Sequence, residues 1–296
     1  MSRAVRNKQG NDIIDGANIM TQKAMLCPRC RQLIGSEEST CSWCGAKRSS
    51  AWWRPTAWTR GWGDGAWLVK AIITVNIVVY ACSILLSMGR GGAAGPLAIL
   101  SPNQTSLRLL GATGTVPIAG GWYWTLLTAN YLHGGILHLV FNLMALRQIA
   151  PWVNQEYGPS RMFTIYTLGG VFGYLISNLA GIPFTIGASA AVCSLIGALL
   201  YYGHSRGGVY GSMVFREVSG WIFSLALFGF IMPGINNWAH GGGIVGGVIL
   251  GMILGYEERN KENAYHRLVA LACAGVTVCV FAWTTYVVVI NLRMGY

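Results

Sequence analysis

Apolar runs of about the length that crosses a bilayer recur seven times along the chain, over 67–88, 125–149, 162–182, 187–203, 217–233, 238–256 and 268–291. A helix needs roughly 20 apolar residues to span the hydrocarbon core. The polar stretches between the runs are mostly short. None of the runs alternates apolar and polar residues in the period of two that a membrane barrel requires, so the runs predict helices. The fourth and sixth runs are the shortest and the richest in glycine. The expected fold is an all-α polytopic bundle.

The remaining pattern divides the chain further. Residues 1–24 are polar, carry no periodic signal and are expected to be a disordered extension. Residues 25–48 hold a cysteine cluster. Residues 49–66 form a Trp-rich linker: the stretch Ala51–Trp67 holds five of the twelve Trp together with Arg54 and Arg60. Trp settles at headgroup level and Arg favours anionic lipid, so this linker reads as an interfacial lead-in to the first span. A six-helix core follows over 67–256, then a cytoplasmic loop over 257–267 and a seventh span over 268–291.

Composition agrees with the lipid assignment. Of 296 residues, 53% are hydrophobic and only 10% are charged, against roughly 25% charged in an average soluble domain. Glycine is twice as common as usual, 40 residues against ~7% typically. The net charge of +11 would suggest nucleic acid in a soluble protein. Here the basic residues cluster by loop. With the N-terminus in the cytoplasm, all but Arg90, Arg108 and Arg293 fall on the inner side. The positive-inside rule thus sets the orientation, puts the C-terminus outside, and removes nucleic acid as a partner in favour of the lipid bilayer.

Four of the eight cysteines form CPRC–x10–CSWC, namely Cys27, Cys30, Cys41 and Cys44. Two C-x-x-C turns offer four soft thiolates in a tetrahedral set, which suits structural Zn²⁺ in a ribbon-like domain. Four thiolates leave no open position for metal catalysis. About 25 residues cannot build a sufficient core without such a staple.

Polar side chains at membrane depth usually serve function. The second run carries His133, then His138 and Asn142 one helical turn apart on one face. The fourth opens Gly187-Ala188-Ser189-Ala190, and the sixth opens Ala239-His240 followed by Gly241, Gly242 and Gly243. All three runs point the same way across the membrane, so these groups share a layer near the outer face. Gly243, Gly247, Gly251 and Gly255 recur every four residues, a stripe that admits close helix packing. It faces the small positions of the fourth run, Ala190, Ser194 and Ala198 among them. Such packing brings Ser189 and His240 together, and two readings stay open: a Ser–His dyad for acyl transfer, or hydrogen bonds that merely bridge helices. In the first reading His138, Asn142 and the Ser189 N–H are candidate oxyanion donors. No carboxylate falls near this layer, so a dyad is the most that the chain offers. The segment Ile231–Asn237, which precedes the His240 run, is a candidate gate for water or substrate.

These residues resemble the rhomboid family of intramembrane serine proteases over roughly 65–256. The resemblance rests on His138-x-x-x-Asn142, Gly187-x-Ser189, and Ala239-His240 with its glycines, in order, and on Trp124–Asn142. It implies a six-helix core with a seventh helix appended. It further implies Ser189 as nucleophile, His240 as base and then acid, and His138 and Asn142 at the oxyanion, with His133 and Gly187 in support. The implied substrates are transmembrane proteins cut near the outer end of a helix, without a catalytic cofactor. A non-catalytic member that binds transmembrane helices is the alternative. Cys193 stands where the family usually has an aromatic residue, Ala190 where it often has Gly, and Thr125 where Arg often follows Trp.

Overall fold

The computed structural model describes residues 24–26, 33–35, 38, 40–45, 65–88, 100–232 and 234–294. It divides into two units, Met1–Arg60 and Gly61–Tyr296. In the first unit, β1 (Ala24–Leu26) pairs antiparallel with β2 (Leu33–Gly35), Met25 opposite Ile34. Cys27 and Cys30 lie in the connection between these strands, outside the described residues. Cys41 is buried, and the Gly45 N–H donates to its carbonyl at 2.9 Å, closing a tight turn around Cys44.

The second unit is helical. Its long helices are α1 (Ala66–Ser87), α5 (Ile136–Tyr157), α6 (Pro159–Leu179), α7 (Ser189–Arg206), α8 (Gly208–Ile231), α9 (Asn237–Leu254) and α10 (Ala264–Arg293). Among the described residues between α1 and α5 lie three short ones, α2 (Gln104–Leu109), α3 (Thr115–Ala119) and α4 (Thr125–Thr128), the last followed by a 3-10 turn over Ala129–Tyr131. Six of the described long helices, all but α7, are long and apolar enough to cross a membrane. The protein is a multi-pass membrane protein. Helix α7 falls short because it ends in His204 and Arg206. It has less need of apolar surface, since its neighbours α5, α6, α8 and α9 bury twelve of its residues in protein rather than lipid.

Two boundaries depart from the sequence reading. The second run was expected as one helix over 125–149, but α5 begins only at Ile136. Gly134 and Gly135 break the chain there, and 125–131 fold into short turns whose apolar side chains are buried in protein. His138 is therefore in the first turn of its helix rather than two turns down. The fifth run, expected over 217–233, starts at Gly208, directly after α7. Arg216 and Glu217 cut the hydropathy signal, yet both are exposed, while Gly211, Val214 and Val218 face the core.

Helices α6, α7 and α9 form the centre, and glycines set their spacing. A Cβ on Gly197 would run into the Ile244 backbone, and one on Gly247 into the Ser194 carbonyl. On α6, which the sequence reading left without a packing role, a Cβ on Gly173 would lie 2.6 Å from the Ala239 carbonyl and 3.1 Å from Ala190. Helix α10 packs on α6, with Phe281 5.2 Å from the Tyr131 ring and Cys273 buried.

At the C-terminal ends of α5 and α9, Arg161 is fully buried. Its guanidinium donates to Glu257 (2.5 Å) and to the carbonyls of Tyr157 (2.5 Å), Gly255 (3.0 Å) and Asn260 (2.7 Å). Glu262 in turn accepts the N–H groups of Ser160 and Arg161. The loop 255–263 is thereby fixed to the start of α6, and Asn263 and His266 cap α10 reciprocally.

Candidate active site

The N-terminal ends of α5, α7 and α9 meet at a cavity of about 920 Å³. Ser189, the first residue of α7, lines it, as do His240 in the first turn of α9 and His138 and Asn142 of α5. The expected convergence of three distant segments on one layer is present. The packing anticipated from the glycine stripe is present too: a Cβ on Gly243 would collide with the Ala190 carbonyl, and one on Gly251 would sit 3.3 Å from Ala198. Gly255 falls outside that stripe and ends α9.

The turn before Ser189 is held from two sides. Gly187 has φ +128°, a conformation that side chains other than glycine rarely adopt. Its N–H donates to the Ala129 carbonyl at 2.9 Å, and its carbonyl accepts from the Tyr174 hydroxyl of α6 at 2.5 Å. A Cβ here would lie 2.7 Å from His138 Nε2 and 3.5 Å from Ser189 Oγ. Only glycine lets the imidazole approach so near the serine.

His138 has a definite orientation. The Gly134 N–H donates to its Nδ1 at 3.3 Å. Nδ1 is then the acceptor of a neutral ring, and the proton sits on Nε2, the nitrogen beside Gly187. Asn142 gives one amide hydrogen to the His138 carbonyl at 2.8 Å and keeps the other. His133 is fully buried behind this pair, its ring 5.0 Å from that of His138. It does not line the cavity.

No hydrogen bond joins Ser189 to His240, and the Nδ1 of His240 is buried without a hydrogen-bond partner. No aromatic ring contacts His240 among the described residues. Cys193, one turn after Ser189, is buried and lines the cavity beside it. Gly241 faces open space, whereas Gly242 and Gly243 are wedged against Ile176 and Ala190.

Several contributors carried no sequence signal. Thr113 and Thr185 form a two-way backbone bridge, at 3.2 and 2.7 Å, which fastens the long connector to the segment before Ser189. Tyr174 and Asn236 both line the cavity and both bond to backbone. Phe141, Ala145 and Ile149 of α5 and Trp221, Leu225 and Phe228 of α8 make most of the remaining wall apolar. Of the segment proposed as a gate, Gly234, Ile235 and Asn236 line the same cavity.

The arrangement provides a hydroxyl, an imidazole and several N–H donors around one pocket large enough for a peptide segment. The family model for the rhomboid domain matches residues 120–257. RHOMBOID-like protein 5 of Arabidopsis thaliana is 31% identical over 210 residues, which cover 64% of this chain and 68% of that protein. Rhomboid protease GluP of Bacillus subtilis (strain 168) is 35% identical over 155 residues, 52% of this chain and 31% of that one. Inactive RHOMBOID-like protein 8 of Arabidopsis thaliana is 27% identical over 201 residues, 60% and 56% respectively. The chain spans about three fifths of the length of other curated relatives.

Proposed function

The chain belongs to the rhomboid family, and from that premise we propose that it is an intramembrane serine endopeptidase working by a Ser–His dyad. The supporting observation is the shared cavity: Ser189 and His240 line it together with His138 and Asn142. In this reading His240 takes the proton of Ser189 Oγ as the oxygen attacks the scissile carbonyl. The oxyanion receives hydrogen bonds from the Ser189 N–H, the His138 Nε2–H and the free amide hydrogen of Asn142. Collapse breaks the C–N bond, and His240 returns its proton to the leaving amine. Water then attacks the acyl-serine with His240 again as base, releasing the second product and free Ser189. The apolar walls from α5 and α8 suit a transmembrane segment, locally unwound to present its backbone. In the same reading, supported by the charge bias of the loops, the N-terminus is cytoplasmic, the C-terminus lies outside and the site opens toward the outer face.

The decisive experiment is gel-based cleavage of a single-span reporter in detergent by wild type and Ser189→Ala. Product from wild type and none from the variant supports the dyad. Equal product from both would overturn it. The absence of a Ser189–His240 hydrogen bond favours a second reading, a non-catalytic rhomboid-like protein that holds transmembrane helices. That reading predicts a reporter that co-purifies with wild type and stays intact.

For the N-terminal unit we propose structural Zn²⁺ held by Cys27, Cys30, Cys41 and Cys44. Two C-x-x-C pairs have the chemistry that suits Zn²⁺, and among the described residues a tight turn with buried Cys41 carries the second pair. Four thiolates would supply folding energy rather than catalysis. The purified protein is expected to contain one zinc per chain, lost in Cys27→Ser/Cys30→Ser.

A further inference from the structure

A dyad without a carboxylate needs another means of orienting its base. No Asp or Glu lines the cavity, and His240 Nδ1 has no hydrogen-bond partner. A Cβ on Gly241, next in the chain, would meet nothing within 4 Å. With no hydrogen bond to Nδ1, the place of the His240 ring depends on how the first turn of α9 is held, and one side chain caps that turn. Asn236 Oδ1 accepts the Ala239 N–H at 3.0 Å, and the Asn236 carbonyl accepts the His240 N–H at 3.1 Å. This is an N-cap, which by itself fixes only a helix end.

The other half of the amide reaches outside the helix. Asn236 Nδ2 donates to Ser177 Oγ at 2.6 Å, near the end of α6, and to Thr185 Oγ1 at 2.9 Å. Ser177 is fully buried and Thr185 nearly so. Thr185 lies four residues before Ser189 and is itself bridged to Thr113. Both hydrogens and the oxygen of the amide are thus engaged. One side chain fastens the start of the His240 helix to the segment that delivers Ser189, and to α6, which packs against both α7 and α9.

We propose that Asn236 is a positioning residue that sets the register of His240 against Ser189. The proposal rests on the reading of Ser189 and His240 as a dyad. Displacement of a catalytic group by about 1 Å can cost about 100-fold in rate. Loss of this tie is therefore expected to appear in kcat rather than in substrate binding. An aspartate preserves the clasp with reversed polarity: one carboxylate oxygen keeps the cap, while the Ser177 and Thr185 hydroxyls, which can donate as well as accept, bond to the other.

The experiment measures kcat and KM for reporter cleavage in detergent, the rate of fluorophosphonate labelling, and the Tm. Asn236→Ala is expected to lower kcat and the labelling rate about 10- to 100-fold, with KM within about two-fold. Asn236→Asp is expected to restore most of the loss. If Asn236→Ala does not fold, Ser177→Ala/Thr185→Val keeps the cap and removes only the ties, and the same fall in kcat is expected. A folded Asn236→Ala with wild-type kcat overturns the proposal, as does a double variant that cleaves normally. Ser189→Ala in parallel separates the two claims. Cleavage by that variant would refute the dyad itself, whereas an inactive Ser189→Ala beside a fully active Asn236→Ala refutes only the role of Asn236.

Discussion

The two ends of the helical unit put their few polar residues to opposite uses. Around Arg161 the guanidinium is spread over four carbonyls and a carboxylate, and Glu257 and Glu262 are occupied as well. Around Ser189 the key groups are left with spare capacity: the serine hydroxyl is unbonded, His240 Nδ1 is unpartnered and Asn142 keeps a hydrogen. A buried charge must be satisfied or it is strongly destabilising. A catalytic group must keep something in reserve for the transition state. The comparison teaches that this bundle separates the end that holds it together from the end that can do chemistry.

Mutations at the two ends should therefore fail differently. Ser189→Ala is expected to lower reporter cleavage by at least about 1,000-fold while leaving the thermal melt in detergent unchanged. Arg161→Met should do the reverse: a loss of about 3–5 kcal/mol, because Glu257 and the carbonyls of Tyr157, Gly255 and Asn260 lose the buried cation that joins them. Cleavage per folded molecule should persist, and a variant that melts normally would refute the structural role of Arg161. Between the ends, Gly247→Val drives a side chain into the Ser194 carbonyl and should cost about 1–3 kcal/mol together with activity. Gly241→Ala, facing open space, should change neither. The smallest expected effect is Tyr174→Phe. It removes the hydrogen bond to the Gly187 carbonyl, worth about 1 kcal/mol, and should slow cleavage a few-fold with the ring still in place.

The parts of this arrangement that the sequence discloses are those written in periodicity. Apolar runs mark the seven long helices, and a four-residue glycine repeat anticipates the contact of Gly243, Gly247 and Gly251 with α7. Ser189, His240, His138 and Asn142 stand out because polar groups are rare in such runs. The α5 boundary was missed because residues 125–133 are apolar for another reason: they are buried by protein in short turns, and hydropathy does not distinguish that from lipid. Arg161 was counted as an ordinary loop charge, since only the fold brings Glu257 and Glu262 to it across about a hundred residues. Asn236 and Tyr174 were invisible for a related reason. Tyr174 bonds to backbone carbonyls, and Asn236 to one N–H and to the hydroxyls of Ser177 and Thr185, partners that only the fold brings near and no motif records.

The glycine break before α5 has an electrostatic consequence. By starting that helix at Ile136 it adds a third helix N-terminus to those of α7 and α9 at one cavity. Each helix carries the equivalent of roughly +0.5 charge at its N-terminus, so aligned peptide dipoles give the pocket a positive field although no Lys or Arg lines it. Peptide dipoles do not titrate. Their attraction for a developing oxyanion is expected to stay constant across the pH range in which the fold survives, leaving any pH dependence of acylation to the two imidazoles that line the pocket, His240 and His138.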